Sequence, residues 1–368
     1  MSKQKIAILF GGKSSEHEVS RVSATMVIDS IPRDKYEPVL VGITKSGKWY
    51  LFEGRADLIK DGEWEHSGKI TPAVISPDAE THGLIVFRES GDEIIRIDAA
   101  FPMLHGKNGE DGTMQGLFEL AGIPYVGCDT ASSAICMDKA LTNTILAQGG
   151  VPQAKFVWFY RHNWQKDSDK YINRVEKELG YPCFVKPANA GSSVGISKAK
   201  DREGLRGAVT IAACHDPKIV IEEGIDGAEV EVAVMGNGDE IIVSVPGEIV
   251  PGAEWYDYDA KYNNSDSVCR IPAPIDSETL EVVRETAAKA YKLLGCSGLA
   301  RVDFFVRDGE VLLNEPNTLP GFTPISMYPK MMEHSGISNS ELVDKLIQLA
   351  IERANGVSEF EFPADWRV

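Results

Sequence analysis

Between Lys5 and Gly12 the chain reads KIAILFGG, five apolar residues without a polar interruption and then two glycines. Side chains on a strand alternate between its faces, so a strand that is apolar at every position must be covered on both. The glycines end it in a turn. The next stretch, SSEHEVSRVSATMVIDSI, changes period, with Val19, Val22, Met26, Val27 and Ile31 at helical spacing. Ser15 with Glu18 three residues on has the pattern of a capping box at the start of that helix. A buried strand, a glycine turn and an amphipathic helix in that order open an α/β unit.

The alternation continues. EPVLVGI is a second strand leading into a hairpin-like stretch, TKSGKWYLF. After an irregular polar region, IIRIDAAFPMLHG is strand-like, and DGTMQGLFELAG is helical with Met114, Leu117, Phe118 and Ala121 on one face. This predicts an open α/β domain over residues 1–127. A second unit, 128–222, begins with a helix, ASSAICMDKALTNTILAQ. It continues as strand KFVWFY, helix KYINRVEKEL, strand CFVKPA, a small-residue loop and strand KIVIEE. The third unit, 223–368, is α+β in character. An Asn-Gly turn lies within VEVAVMGNGDEIIVSVPGEI, a helix carries Leu280, Val283, Ala287, Tyr291 and Leu294 on one face, and LARVDFFVRDGEVLLNEPN is a second hairpin.

A chain of 368 residues has apolar material for two or three cores. Its net charge of -17 argues against nucleic acid or an anionic membrane surface as a partner, while local basic clusters can still hold a small polyanion. No segment has the apolar length of a membrane span, and the N-terminal apolar run is too short for a secretory signal. The six cysteines form no CxxC pair, which fits buried thiols in a reducing compartment and a cytoplasmic protein.

Two stretches carry chemistry. In KPANAGSSVGISK, residues 186–198, small residues let backbone N–H groups approach an anion, and Lys186 at the end of a strand adds a compact positive charge. The same composition also suits a hairpin tip. The second hairpin is more specific. With a three-residue turn at Asp308-Gly309-Glu310 and Arg307 opposite Val311, Asp303 falls opposite Glu315 and Arg301 opposite Asn317. Like charges paired across strands cost energy, and Mg²⁺, which takes carboxylates together with phosphate oxygens, removes that cost. The alternative is a solvated face on which Arg301 compensates the acids. Between the two stretches, Glu222, Glu223, Gly224 and Ile225 read as an inter-domain connector whose backbone can bond a nucleotide base, with Glu229 near the ribose.

The motifs GGKSSEHEVS, LHGKNGEDGTMQG, KPANAGSSVGISK, YDYDAKY, ARVDFF and NEPNTLPGFTPISMYPK occur in that order across nearly the whole chain. In them the chain resembles the D-alanine–D-alanine ligases of the ATP-grasp superfamily. The resemblance implies an ATP-grasp fold behind an N-terminal open α/β domain, with ATP clasped between the second and third units. It implies that Lys139 and Lys186 bind phosphate, and that the Ser192, Ser193 and Val194 backbone lies over the phosphates. Glu222, Glu223, Ile225, Phe304 and Asn314 would take the base side of the nucleotide, and Glu229 the ribose. Asp303, Glu315 and Asn317 would hold two Mg²⁺ ions, with Mn²⁺ as a substitute.

For the amino acids, the resemblance places Glu16 on the first D-alanine's ammonium with His105 nearby. Arg301 and the Gly321 N–H would face an oxyanion, and Ser326 and Met327 the second carboxylate. Lys261 and Tyr262 would lie on a mobile loop, about 251–272, with Tyr262 bonded to Ser192 and Glu16. The implied reaction joins two D-alanines through an acyl phosphate, releasing ADP and phosphate, for peptidoglycan precursor synthesis by a homodimer. A D-alanine–D-lactate ligase is the alternative, and relatives of that kind carry histidine where this chain has Tyr262. A nucleotide-binding regulatory protein without chemistry is the rival from another class, and the intact set of implied catalytic residues argues against it.

Overall fold

In a computed structural model of the chain, residues 3–250 and 268–358 are described, and they form three sheets. The first part runs β1 (Gln4–Gly11), α1 (His17–Ser30), β2 (Tyr36–Ile43), β3 (Trp49–Phe52), α2 (Ala56–Asp61), β4 (Ile70–Ile75), β5 (Gly83–Val86), β6 (Glu93–Arg96), β7 (Ala99–Pro102) and α3 (Thr113–Ala121). Its strand order is β6-β5-β4-β3-β2-β1-β7. β1 is parallel to β2 and β7, and the remaining pairs are antiparallel. The unbroken apolar run of β1 has the expected reason. Ile6, Ile8 and Phe10 enter one core and Ala7 and Leu9 another, and all five are fully buried.

Three local expectations fail here. The region after β3 is not irregular, since it supplies α2, β4 and β5. The stretch IIRIDAAFPMLHG is not one strand. It is β6 and β7, which lie at opposite edges of the sheet. Finally, Ser15 and Glu18 form no capping box. Helix α1 starts at His17 without a side-chain cap, and Ser14 Oγ accepts from the Glu16 N–H at 3.1 Å while donating to the His105 carbonyl at 2.9 Å. Glu18 is paired with Lys45 instead.

The single helix expected over 131–148 is two, α4 (Thr130–Met137) and α5 (Lys139–Gln148). They break at Asp138, whose carboxylate caps α5 by accepting from the Ala140 and Leu141 N–H groups. Then follow β8 (Phe156–Tyr160), α6 (Arg161–Lys166), α7 (Ser168–Glu178), β9 (Cys183–Pro187), β10 (Ser197–Ala199), α8 (Arg202–His215) and β11 (Lys218–Glu223). The second sheet, β10-β9-β11-β8, is antiparallel and buries one face under α7 and α8.

The last part runs β12 (Ala228–Asn237), β13 (Glu240–Val243), β14 (Gly247–Val250), β15 (Val268–Arg270), α9 (Ser277–Leu293), β16 (Gly298–Arg307), β17 (Glu310–Asn317), α10 (Met327–His334) and α11 (Asn339–Ser358). Its sheet order is β15-β14-β12-β16-β17, with β13 on β12. Of the loop expected over 251–272, residues 251–267 lie outside the described residues, and 268–270 form β15 against β14. The cysteines depart from expectation at Cys214 and Cys269, which are exposed; the other four are buried, and all six are free thiols.

The first and third sheets meet over one shared core. Leu319, Phe322, Met327, Tyr328 and α11 residues share one core with Ile6, Phe10, Phe101 and Met103. Phe322 is fully buried and meets Phe101 edge-on at 6.2 Å. Helix α11 straps the junction: Asp344 takes Lys35 at 2.6 Å and the Tyr36 hydroxyl at 2.7 Å, and Arg353 donates to the Tyr125 carbonyl at 2.8 Å. Truncating Phe322 to alanine should therefore cost about 3–5 kcal/mol of unfolding free energy in a denaturant titration. A loss below about 1 kcal/mol would mean that the ring is not a core residue of the junction.

Candidate functional site

On the second sheet, Cys183, Val185, Ile219 and Ile221 point into the core under α7 and α8. Alternation therefore turns Phe184, Lys186 and Glu222 to the other face. Lys186 Nζ lies 2.6 Å from Glu222 Oε2, and Asn143 donates to Glu222 Oε1 at 3.0 Å. Burial alone would lower the Lys186 pKa. The charges of Glu222, Glu315 and Glu229 outweigh it, and the ammonium is held above its ordinary value. Lys139, the first residue of α5, reaches the same place: its Nζ donates to the Ala190 carbonyl at 3.0 Å and lies 3.3 Å from Glu315 Oε2. Two lysines from the second unit thus face a carboxylate of the third sheet.

The β16–β17 pairing places Arg301 opposite Asn317 and Asp303 opposite Glu315, as the hairpin argument required. The turn is different. Arg307 pairs with Glu310 around a two-residue loop, Asp308-Gly309, in which both residues have positive φ. A bulge beside Asp303 then adds one residue to β17, Asn314, and restores the register at the acids. The expected turn and the expected straight ladder were both off by one, in opposite directions.

β12 adds a residue the sequence reading missed. Glu231 lies opposite Asp303, so Glu231, Asp303 and Glu315 form a row across three strands. The alternation of AEVEVAV, with Glu229 and Glu231 on one face, was the available signal. Arg301 grips Asp303 through two bonds of 2.7 Å and lies 3.1 Å from Glu231, while Asn317 donates to Asp303 at 2.9 Å. Among the described residues no three His, Cys, Asp or Glu side chains are drawn together as a metal site. Asp303, Glu315 and Asn317 are instead an all-oxygen donor set of two carboxylates and an amide, which fits an Mg²⁺ ion that takes further oxygens from a phosphate.

The glycine-rich loop bends through Ser192 and Ser193, both with positive φ. It meets the first part of the chain at Glu16: a Cβ on Gly191 would stand 3.8 Å from Glu16 Oε1, and one on Gly106 would stand 2.6 Å from Glu16 Oε2. Val194 and Ile225 are half-buried. Gly321 sits so close to Ser326 that a Cβ there would lie 2.9 Å from Ser326 Oγ, which is itself held by Thr323 at 2.8 Å.

Three expected side chains point elsewhere. Phe304 is buried in the core between the third sheet and α9, and Phe305, opposite Glu229, is the aromatic on the carboxylate face. Glu223 accepts from the Lys155 N–H at 2.8 Å. The Met327 side chain is packed in the junction core beside Gly247, which leaves its backbone for any ligand. His105 is buried, with Nδ1 3.1 Å from the Leu319 carbonyl and Nε2 2.9 Å from Ser23 Oγ. Lys261 and Tyr262 lie outside the described residues.

Burial would lower the His105 pKa, but the nearby Glu110 carboxylate, 3.5 Å from Nδ1, and then Glu16 raise it above the ordinary value. A raised folded-state pKa stabilises fully below the unfolded imidazole value and is lost as pH rises through the folded one. In urea titrations Glu110→Gln should therefore be most destabilising near pH 6, with the gap to wild type closing as pH climbs above the ordinary imidazole range. A gap constant with pH would show that Glu110 does not hold the imidazolium.

Comparison with known proteins places this geometry in context. Residues 5–128 match the family description "D-ala D-ala ligase N-terminus" and residues 145–348 match "D-ala D-ala ligase C-terminus". A D-alanine–D-alanine ligase of Caldicellulosiruptor bescii is 50% identical over 96% of both chains, and one of Acetivibrio thermocellus is 49% identical over 96% of this chain and 97% of its own. Among solved structures, VanG D-Ala:D-Ser ligase from Enterococcus faecalis superposes with a TM-score of 0.87 at 44% identity, covering 95% of this chain and 100% of its own. The Coxiella burnetii D-alanine–D-alanine ligase gives 0.84 at 34% identity, covering 97% and 98%.

Proposed function

The chain belongs to the D-alanine–D-alanine ligase family, and we propose that it joins two molecules of D-alanine into D-alanyl-D-alanine for cell-wall synthesis, converting ATP to ADP and phosphate. The observation that carries the reading is the meeting of Lys139 and Lys186 with Glu315 across a cleft whose far side holds Glu16 beside Gly191. Cations for a polyphosphate, an oxygen donor set and a carboxylate for an ammonium group stand within one space. The three units, 1–127, 128–222 and 223–368, act as the substrate domain and the two halves of the nucleotide clasp. No helix among the described residues is long and apolar enough to cross a membrane. The working form is a cytoplasmic homodimer joined through the N-terminal unit.

Lys139, Lys186 and the N–H groups of Ser192, Ser193 and Val194 hold the phosphates. Glu222, the Glu223–Ile225 backbone, Asn314 and Phe305 border the base, and Glu229 accepts from the ribose. Asp303, Glu315 and Asn317 would hold two Mg²⁺ ions, which when bound would neutralise phosphate charge. Glu16 takes the first D-alanine's ammonium and so aims its carboxylate at the γ-phosphorus. That oxygen forms the new P–O bond as ADP leaves. Arg301 and the Gly321 N–H stabilise the oxyanion formed when the second amine attacks the acyl phosphate, and inorganic phosphate departs. Ser326 and the Met327 N–H orient the second carboxylate, and Lys261 and Tyr262 close the site against water.

The likeness to a D-Ala:D-Ser ligase favours D-serine as a second reading for the second position only. Incubation with ATP and D-alanine, L-alanine, D-alanine plus D-serine, or D-alanine plus D-lactate separates these readings by mass spectrometry. ADP with D-alanyl-D-alanine is expected from D-alanine and none from L-alanine; ADP without dipeptide would overturn the assignment. Arg301→Ala should bind ATP normally and lose ligation by about 10²–10³-fold. Glu315→Ala should abolish Mg²⁺-dependent ADP production, and retained turnover would remove Glu315 from the metal set.

A further inference from the structure

Ser23 lies on the buried face of α1, fully inaccessible, and nothing in the reaction above uses it. Its Oγ lies 2.9 Å from His105 Nε2 and accepts from the Phe322 N–H at 3.3 Å. The other nitrogen of the same imidazole, Nδ1, lies 3.1 Å from the Leu319 carbonyl. The two bonds to the loop therefore fall on Leu319 and Phe322, and Pro320 and Gly321 are the residues between them. We infer that Ser23 is a positioning residue for the ligation: with His105 it clamps the Leu319–Phe322 segment at both ends and so fixes the direction of the Gly321 N–H.

The proton inventory shows that the clamp is complete. The Leu319 carbonyl can only accept, so Nδ1 carries a proton. The Phe322 N–H can only donate, so Ser23 Oγ accepts it and keeps a second lone pair and its own proton. If the ring is neutral, the hydroxyl donates to Nε2; if it is an imidazolium, Nε2–H donates to the hydroxyl. The contact holds in either state. Both ring nitrogens are thus spent on the protein, and the residue is 4% exposed. No imidazole nitrogen remains for a substrate, so His105 acts through the loop rather than on the first D-alanine, as the family resemblance had implied. The Glu110 carboxylate, near Nδ1, and Glu16 are the acidic groups acting on the ring.

This inference rests on the proposed ligase reaction, in which the Gly321 N–H faces the oxyanion. Its test compares full-length wild type, Ser23→Ala, His105→Asn and the double variant, measuring dipeptide and ADP together with KM for ATP and for the first D-alanine. Ser23→Ala should lower kcat for dipeptide by about 10- to 100-fold, the effect of misplacing one oxyanion donor. Both KM values should stay near wild type, and dipeptide formed per ADP should fall as the acyl phosphate is lost to water. The double variant should lose no more than the larger single loss, because both residues act through one segment. Wild-type kcat in Ser23→Ala, or multiplying losses with the His105→Asn defect confined to KM for the first D-alanine, would overturn the inference. If Ser23→Ala does not fold, the kcat-against-KM split in His105→Asn reads the same clamp from its other end. A wild type that makes no dipeptide would instead overturn the ligase assignment itself.

Discussion

Leu319, Phe322 and Tyr328 lie between the first and third sheets, in the same apolar cluster as Ile6, Ile8, Phe10 and Phe101. Two sheets that share a core cannot shift against each other without opening it, because close-packed interiors have few alternative arrangements. Glu16 and His105 come from the first sheet's loops, and Arg301, Asp303 and Gly321 from the third. Their separations are consequently fixed by apolar packing beneath them. The second sheet has its own core under α7 and α8. It reaches the acids of the third sheet through charges such as that of Lys186 on β9 acting with Glu315.

Those charges explain what the cleft can take up. The row Glu231–Asp303–Glu315 sets like charges side by side across strands, an arrangement that costs energy unless compensated. Arg301 compensates at one end and Lys139 at the other, while Lys186 serves Glu222. A bare polyanion drawn to the lysines would leave buried carboxylates uncompensated, which is expensive at low dielectric. A polyphosphate arriving with divalent cations re-pairs both sides at once. In a chain of net charge -17 this local gathering of cations, rather than the overall field, attracts the anion.

The sequence was most legible where strong periodicity met long elements. The full burial of β1 follows from its unbroken apolar run, the helix at α1 from its helical spacing, and the shared face of Arg301 and Asp303 from strand alternation. The order of β6 and β7 was not legible, because strands of four residues carry little pattern and partner choice is a tertiary matter. The turn at Asp308-Gly309 obeyed the two-residue preference for such dipeptides, and only the bulge at Asn314 kept the incorrect three-residue turn from misplacing the acids. The resemblance implies Phe304 for the base, whereas alternation with Asp303 sends its side chain to the opposite face, and the aromatic on the carboxylate face is the next residue, Phe305.

The remaining anomalies are residues that break a local rule. Ser192 and Ser193 hold positive φ where glycine would be less strained, and Ser20 and Ser23 occupy the apolar face of α1 without any exposure. Valine or alanine at 20 and 23 would serve the core as well. The hydroxyls serve something else: Ser20 accepts from the Gly11 N–H at 2.8 Å and donates to the Met103 carbonyl, while Ser23 meets His105 and Phe322. Residues three apart on a helix stand about 5–6 Å from each other with little freedom to change. One rigid helix face therefore sets the spacing of three irregular segments: the glycine turn after β1, the chain after β7 and the Gly321 loop. Loops have no ladder of their own to hold them, and a buried hydroxyl on a helix is among the few groups that can bond a backbone N–H and a second polar group together. Serine in the core of α1 is thus accounted for by the loops it spaces rather than by the helix it belongs to.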